Sequence, residues 1–399
     1  MFFFIRHHLF RRKALFVLTI LTLFMALLML MKVPEMQFLF FTKTKVLKKG
    51  SYVSDRSVTV RTEDRLLKRT TVSYPSRVVG SRRNPVAKLL PNNLKFLTGK
   101  EKHDSGVNGF KIPHIIHQTW KDKNVPRTMA EYIISWHKHQ PSWKYMFWTD
   151  EDILRYVKIR YPHFLPTFTG YEASIMRADT FRYLVLDDIG GLYADIDYES
   201  LRPIDNFTSN HSCIVSQEPL EHAYLLYDKD RFCCNAIIAA APGHQFFKWL
   251  IGELPKIAKS IPKNDVQRKT GPAMLDKAVQ DYARIYLNGD VSKDRELYVA
   301  AQKELMPQFD IKQWYAFNAK CRQRSLYQGV KRRICEELQT LQYQNRPLAD
   351  AFSNHHWVHF WGPDFENGYG QLVSIDDIAP YRVNVTDYVM KMPRRSDKT

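Results

Sequence analysis

Two aspartates one residue apart, Asp195 and Asp197, stand in the stretch GGLYADIDYESL over residues 190–201. In extended backbone, residues i and i+2 share a face, so both carboxylates and the ring of Tyr193 project together. At the C-terminal end of a parallel strand they lie at the edge where open α/β sheets bind ligands. Two ionised carboxylates that close repel unless water or a cation separates them. A hard divalent cation, Mn2+ or Mg2+, held by one or two carboxylates and by the oxygens of a phosphorylated substrate meets that demand. The competing reading is a solvated turn, because Asp-x-Asp is a common triplet.

The segment before the pair adds to the chemistry. Asp179 and Arg182 are i, i+3 neighbours in YEASIMRADTFRYLVLDDIGG, residues 171–191. On a helix surface they form a salt bridge contributing roughly 0.2–0.5 kcal/mol. Delivered to a binding edge, they become a carboxylate for sugar hydroxyls and a guanidinium for phosphate oxygens.

Positioning these groups requires a framework, and the pattern supplies one from Lys111 onward. IPHIIHQTW (112–120) reads as a buried strand, MAEYIISWHKH (129–139) as a helix and KYMFW (144–148) as a strand. Thr149 or Asp150 then caps the helix EDILRYVKIRY. Spacing over 171–191 predicts a helix with Ile175, Ala178, Phe181, Leu184 and Val185 on one face, stopped by Gly190-Gly191. LYADID, CIVSQE, CNAIIAAAP and HHWVHFWG read as further strands, and 243–258 and 271–286 as helices. Such alternation implies an α/β domain with a mainly parallel sheet and helices on both faces. There is no internal repeat and no Walker or GxGxxG loop.

The first 110 residues have a different texture. Residues 14–31, ALFVLTILTLFMALLMLM, are eighteen positions without charge, Pro or Gly, close to the lower limit for a membrane-spanning helix. They run directly into Lys32 and Val33-Pro34 rather than into the small residues of a cleavage site, so an uncleaved signal anchor is expected. The Arg11-Arg12-Lys13 cluster favours a cytoplasmic tail over residues 1–13. The sequons at Asn206, Asn210 and Asn384 suit a lumenal domain. Residues 32–110 read as a basic stem, leaving 111–399 as the folded part. The formal charge is +18, but residues 1–31 carry four Lys/Arg and no acid, and 32–110 carry seventeen against six. The folded part is therefore nearly neutral, and no nucleic-acid partner is expected. Of five cysteines, Cys321 and Cys335 are spaced to close a short loop, and no Cys/His spacing suggests zinc.

Taken in order, IPHIIHQTW, RADTFRYLVLDDIGGLYADIDYESLRPI, CNAIIAAAPGH, TGP (270–272) and HFWG (359–362) resemble the DxD glycosyltransferases of family 32. That group includes the initiating mannosyltransferase of yeast type, inositol phosphoceramide mannosyltransferases and animal α1,4-galactosyl- and N-acetylglucosaminyltransferases. The resemblance implies a GT-A type nucleotide-diphospho-sugar transferase fold and retention of anomeric configuration. It implies donor contacts from Trp120, over the base, and from Asp179, Arg182, Tyr193 and Asp195. Asp197 is the more direct metal ligand, with Asp195 nearer the sugar. His359 is favoured as the histidine completing the metal site, in competition with His355 and His356. No catalytic base is implied, since front-side attack by the acceptor hydroxyl is the usual proposal for such enzymes.

Mannose is the favoured sugar, from GDP-mannose, with a UDP-hexose as the alternative donor and a glycan or glycolipid such as a sphingolipid as acceptor. The expected setting is the Golgi membrane, single-pass and type II. Inositol phosphoceramide mannosyltransferases commonly carry further membrane segments near the C-terminus, whereas residues 366–399 here are polar. A catalytically silent, membrane-anchored glycan-binding protein is the rival from another class, and the intact Asp179, Arg182, Asp195 and Asp197 argue against it.

Overall fold

The computed structural model describes residues 111–393 apart from 288–291, 293, 347, 349 and 360–369. The expected tail, anchor and stem over 1–110 lie outside the described residues, as does the HFWG piece beyond His359. Among the described residues no helix is long and apolar enough to cross a membrane.

The described residues form ten strands: β1 (Ile115–Thr119), β2 (Asn124–Pro126), β3 (Lys144–Trp148), β4 (Gly191–Ala194), β5 (Tyr198–Ser200), β6 (Cys213–Gln217), β7 (Cys233–Ala240), β8 (Tyr298–Ala300), β9 (Ser353–His355) and β10 (Leu372–Ser374). Six make one sheet in the order β3-β1-β4-β7-β6-β8. Every pairing in it is parallel except those of β7, which runs against both β4 and β6. Two small antiparallel pairs, β2–β10 and β5–β9, flank it. The mainly parallel α/β architecture is therefore present, with a single reversed strand that periodicity alone does not reveal.

Period-two alternation sorts the strand residues onto two cores. Ile115, Met146, Trp148, Tyr193, Val215 and Ile238 face one core. It is closed by helices α2 (Asp150–Arg160), α3 (Ser174–Asp188), α4 (Gln245–Ser260) and α5 (Pro272–Tyr286). Ile116, Tyr145, Phe147, Leu192, Ile214 and Ile237 face the other, against α1 (Ala130–His139) and the segment around Met306. Burial on both faces explains why these strands read as nearly continuous apolar runs.

Thr149 caps α2 reciprocally with Asp152, which satisfies backbone donors at the helix start. α3 is not the one-faced amphipathic helix its spacing predicts. Ile175 and Ala178 are only partly covered, whereas Asp179, Thr180, Arg182 and Asp187 are buried with the apolar residues. The reason is that α3 is enclosed by sheet and helices together, and its polar groups have partners inside the protein. Its stop is as expected: Gly190 takes φ +71° and its N–H returns to the Val185 carbonyl. Gly191, at φ +110°, passes so near β1 that a Cβ would stand 2.5 Å from the Ile115 carbonyl oxygen.

A separate small core, built from Phe309, Phe317, Ile334 and Leu338 with Leu225, surrounds the disulfide Cys321–Cys335. It joins α6 (Trp314–Cys321) to α7 (Gly329–Thr340).

Candidate functional site

β4 ends at Ala194, so the aspartate pair is not carried by extended strand. Asp195 donates its N–H to the Ala236 carbonyl of β7, and the Tyr198 N–H closes a turn onto the Asp195 carbonyl at 3.0 Å. The carboxylates thus converge through a turn between β4 and β5, not through strand alternation. This corrects the extended reading of LYADID, and the cause is that β5 must fold back to pair with β9.

That pairing sets His355 opposite Tyr198, with the two rings stacked at 4.5 Å. His355 Nε2 lies 3.2 Å from Asp197 Oδ1. The backbone N–H of Val358 donates to Asp197 Oδ2 at 3.0 Å, and that of His356 to the Asp197 carbonyl. One ligand atom each from Asp195, Asp197 and His355 lie within 4.8 Å of one another.

His359 does not join them. Its Nε2 faces Asp310 Oδ2 at 2.9 Å, and its backbone has φ +59°. The strand expected over 355–362 stops at His355, because Trp357 and His359 both turn into the left-handed region while the chain wraps Asp197. His356 is stacked on Tyr132 and meets Glu199 at 3.0 Å. Of the three histidines, His355 is the one the fold delivers to the aspartates.

Behind the pair lies a buried polar network. Arg182 contacts Asp179 at 3.0 Å and Asp195 at 3.1 Å, donates to the Asn235 carbonyl at 2.7 Å, and lies over the Tyr193 ring at 4.4 Å. Asp179 accepts from Asn235 Nδ2 and from Thr270 Oγ1. Tyr193 donates its hydroxyl to Asp195 Oδ1 and meets Thr119 Oγ1. Gln118 Nε2 donates to the Asp195 carbonyl, and Tyr145 fixes Gln118 from the other side. The side chains of Arg182 and Asp179 are 3% and 5% exposed, while that of Asp195 is 31% exposed. Asp195 is therefore the member of this network that reaches solvent. Trp120 follows Thr119 directly, partly buried, with its Nε1 donating to the Asn124 carbonyl.

Electrostatics split the two aspartates. Burial alone would raise the Asp197 carboxyl, but His355 and the N–H of Val358 outweigh it and hold the pKa at about 2. For Asp195 burial prevails over the pull of Arg182, and the pKa rises. Burial lowers the His355 pKa, yet the Asp197 charge more than compensates and the net shift is upward. An imidazolium can thus occupy the place where a cation would neutralise the carboxylates. Two carboxylate oxygens and one imidazole nitrogen, with no thiolate, form a donor set that suits Mn2+ or Mg2+ and accepts a nitrogen ligand more readily for the former. His355 Nδ1 is buried without a hydrogen-bond partner among the described residues, so its Nε2 is the nitrogen aimed at the pair.

Asn235 and Thr270 belong to the CNAIIAAAPGH and TGP pieces of the sequence, and Gln118 stands two residues before Trp120, but no local spacing marks any of the three as part of the site. Asn206, Asn210 and Asn384 are all exposed. Asn384 also accepts the Asp387 N–H as the cap of a short helix.

Residues 126–214 match the family described as "Glycosyltransferase sugar-binding region containing DXD motif". Among curated proteins, inositol phosphoceramide mannosyltransferase 1 of Schizosaccharomyces pombe is 35% identical over 150 residues, which are 37% of this chain and 44% of the relative. Mannosyl phosphorylinositol ceramide synthase SUR1 of Saccharomyces cerevisiae is 33% identical over 184 residues, covering 45% of each chain. Initiation-specific alpha-1,6-mannosyltransferase of Candida albicans is 26% identical over 205 residues, 43% of this chain and 53% of the relative. The chain spans about half the length of the curated relatives it matches.

Proposed function

We propose that this chain, which carries the sugar-binding region of the DXD glycosyltransferases over residues 126–214, is a metal-dependent, configuration-retaining hexosyltransferase of GT-A type. Its donor is GDP-mannose and its acceptor a glycan or glycolipid, with a sphingolipid headgroup favoured. The observation that carries the reading is the convergence of Asp195, Asp197 and His355 within 4.8 Å at one edge of the sheet. Mannose and the lipid acceptor rest on the names of the relatives, one an inositol phosphoceramide mannosyltransferase and another a mannosyl phosphorylinositol ceramide synthase.

Asp197, Asp195 and His355 would hold the cation, which supplies positive charge where charge builds on the leaving diphosphate. Asp197 is suited to that role because it stays ionised throughout the physiological range. Arg182 fixes one oxygen of Asp195 through its guanidinium, and Tyr193 donates to the same oxygen. The other oxygen of Asp195 is left to meet a donor hydroxyl. Asp179 orients Arg182 and is itself held by Asn235 and Thr270. Such fixed dipoles lower the cost of reorganisation at the reacting centre. No side chain is assigned as nucleophile or base.

In the same proposal residues 14–31 anchor the chain in the Golgi membrane, with the described domain in the lumen, where Asn206, Asn210 and Asn384 face solvent. The test uses the full chain in detergent with a panel of GDP- and UDP-sugars, with Mn2+, Mg2+ or chelator. Metal-dependent donor hydrolysis or transfer that Asp197→Ala abolishes supports the proposal, and a UDP-hexose as the sole substrate would reassign the donor. Absence of both turnover and binding with every donor would overturn it in favour of a silent glycan binder.

A further inference from the structure

The disulfide-closed lobe beside the site has a surface unlike the rest of the domain. From Ile311 to Cys335 the sequence carries seven Lys/Arg and no Asp or Glu. Lys331 faces Asp228 at 2.6 Å and Arg332 pairs with Glu336 at 2.9 Å. Arg322, Arg324 and Arg333 are exposed, with no carboxylate within ion-pair distance among the described residues.

Apolar groups are exposed among these cations. Trp314 is 37% and Tyr315 71% exposed, and their ring centroids lie 3.7 Å apart with the planes tilted by 33°. Ile311 and Leu326 are also exposed, so four of the eleven large exposed hydrophobics of the described residues fall within sixteen positions. Tyr315 lies in the first turn of α6, Arg322 caps its C-terminal end seven residues on, and Ile311 stands in the 3-10 turn that leads into it. A soluble acidic glycan would be met by charge alone. Rings with an amphipathic edge, a bare leucine and guanidinium groups together match the headgroup boundary of a bilayer.

We propose that residues 311–335 form a docking surface for an anionic phospholipid bilayer. The lobe is joined to the aspartate pair by short links. Lys312 Nζ donates to the Val358 carbonyl at 3.3 Å, and the Val358 N–H donates to Asp197 Oδ2 at 3.0 Å. Asp310, at the root of the lobe, holds His359 at 2.9 Å. Docking by this face therefore brings the metal-ligand cluster close to the lipid surface, whatever the reaction performed there. The inference stands on the surface itself and does not require the transferase reading.

The test places the full chain in nanodiscs whose lipids carry brominated acyl chains, either phosphatidylcholine alone or an equal mixture with phosphatidylserine. Bromine quenches indole only at short range, and the difference between the native protein and Trp314→Phe isolates the Trp314 share. Quenching of Trp314 in the anionic discs, weaker in the neutral ones, is the expected result. Each cation near an anionic surface contributes roughly five-fold to partition, so Arg322→Gln/Arg324→Gln/Arg333→Gln weakens docking by about 100-fold and removes the quenching. These side chains are on the surface, so the variant keeps its fold, and its unchanged thermal midpoint is the control. A Trp314 share as large in the brominated anionic discs as in the same discs made from unbrominated lipid overturns the proposal. So does binding of heparin, lost in the triple variant, with no quenching in either disc, which would assign the lobe to a soluble polyanion.

Discussion

Replacing His117 by Gln isolates a pH dependence that belongs to one buried ring. His117 is fully enclosed on β1. Its Nε2 meets the Gly190 carbonyl at 2.9 Å, and its Nδ1 accepts from Trp148 Nε1 at 3.1 Å. The ring is thus neutral, with its proton on Nε2. Burial lowers its pKa from 6.5 to about 4, against a smaller upward pull from the Gly190 carbonyl. The unfolded chain takes up the proton near 6.5, and the folded protein only near 4. The contribution is therefore whole above pH 6.5 and is lost as pH falls towards 4. At about 1.4 kcal/mol per unit, the loss is about 3 kcal/mol, a large part of the 5–15 kcal/mol typical of a domain. His244 is lowered to about 4 by burial as well, so the native curve alone does not separate the two. Gln at 117 retains a donor and an acceptor but does not titrate. Urea denaturation would be followed at a series of pH values between about 7 and about 4.5. The native protein should lose roughly 2.5 kcal/mol more than His117→Gln over that range. Parallel curves would refute the assignment, because His117 would then be protonated alike in both states.

Three other outcomes follow from the geometry. Mn2+ affinity, read by electron paramagnetic resonance of the free ion, should fall by about 100-fold in His355→Ala and stay unchanged in His359→Ala; it should also weaken as pH drops through the raised pKa of His355, because the proton and the metal compete for Nε2. Arg182→Met should cost about 3–5 kcal/mol in urea denaturation by leaving Asp179 buried beside Asp195 without a counter-charge, and adding Asp179→Asn should recover part of it. Gly191→Ala should lower stability by about 3 kcal/mol, since its Cβ must displace the Ile115 carbonyl at a backbone angle other residues avoid, whereas Gly252→Ala, with open space around it, should not.

Local signals carried most of the framework. KYMFW is β3 residue for residue, and the helix starting at Thr149 has the cap its sequence announces. The gathering of Asp179, Arg182, Tyr193 and Asp195 follows from one helix, one glycine stop and one strand, all adjacent in sequence, and so was legible there. What escaped depends on partners far along the chain. β7 runs against both its neighbours, β4 and β6, and no periodicity encodes strand direction. The choice between His355 and His359 turned on where a three-residue strand stops, and that is set by hydrogen bonds to Asp197 and by two left-handed residues. The burial of Asp179 within α3 has no local signal, because its partners, Asn235 and Thr270, arrive from elsewhere.

The β5–β9 pairing also has a consequence for the order in which the protein is made. Asp197 leaves the ribosome more than a hundred and fifty residues before His355. At cellular rates of elongation that interval is on the order of ten seconds. Arg182 and Tyr193, the side-chain partners of Asp195, precede it in the chain, but Asp197 waits for its imidazole and for the Val358 N–H. Until β9 is made, Asp197 lacks both the imidazole and the backbone N–H that hold its charge, so the site is completed only late in synthesis.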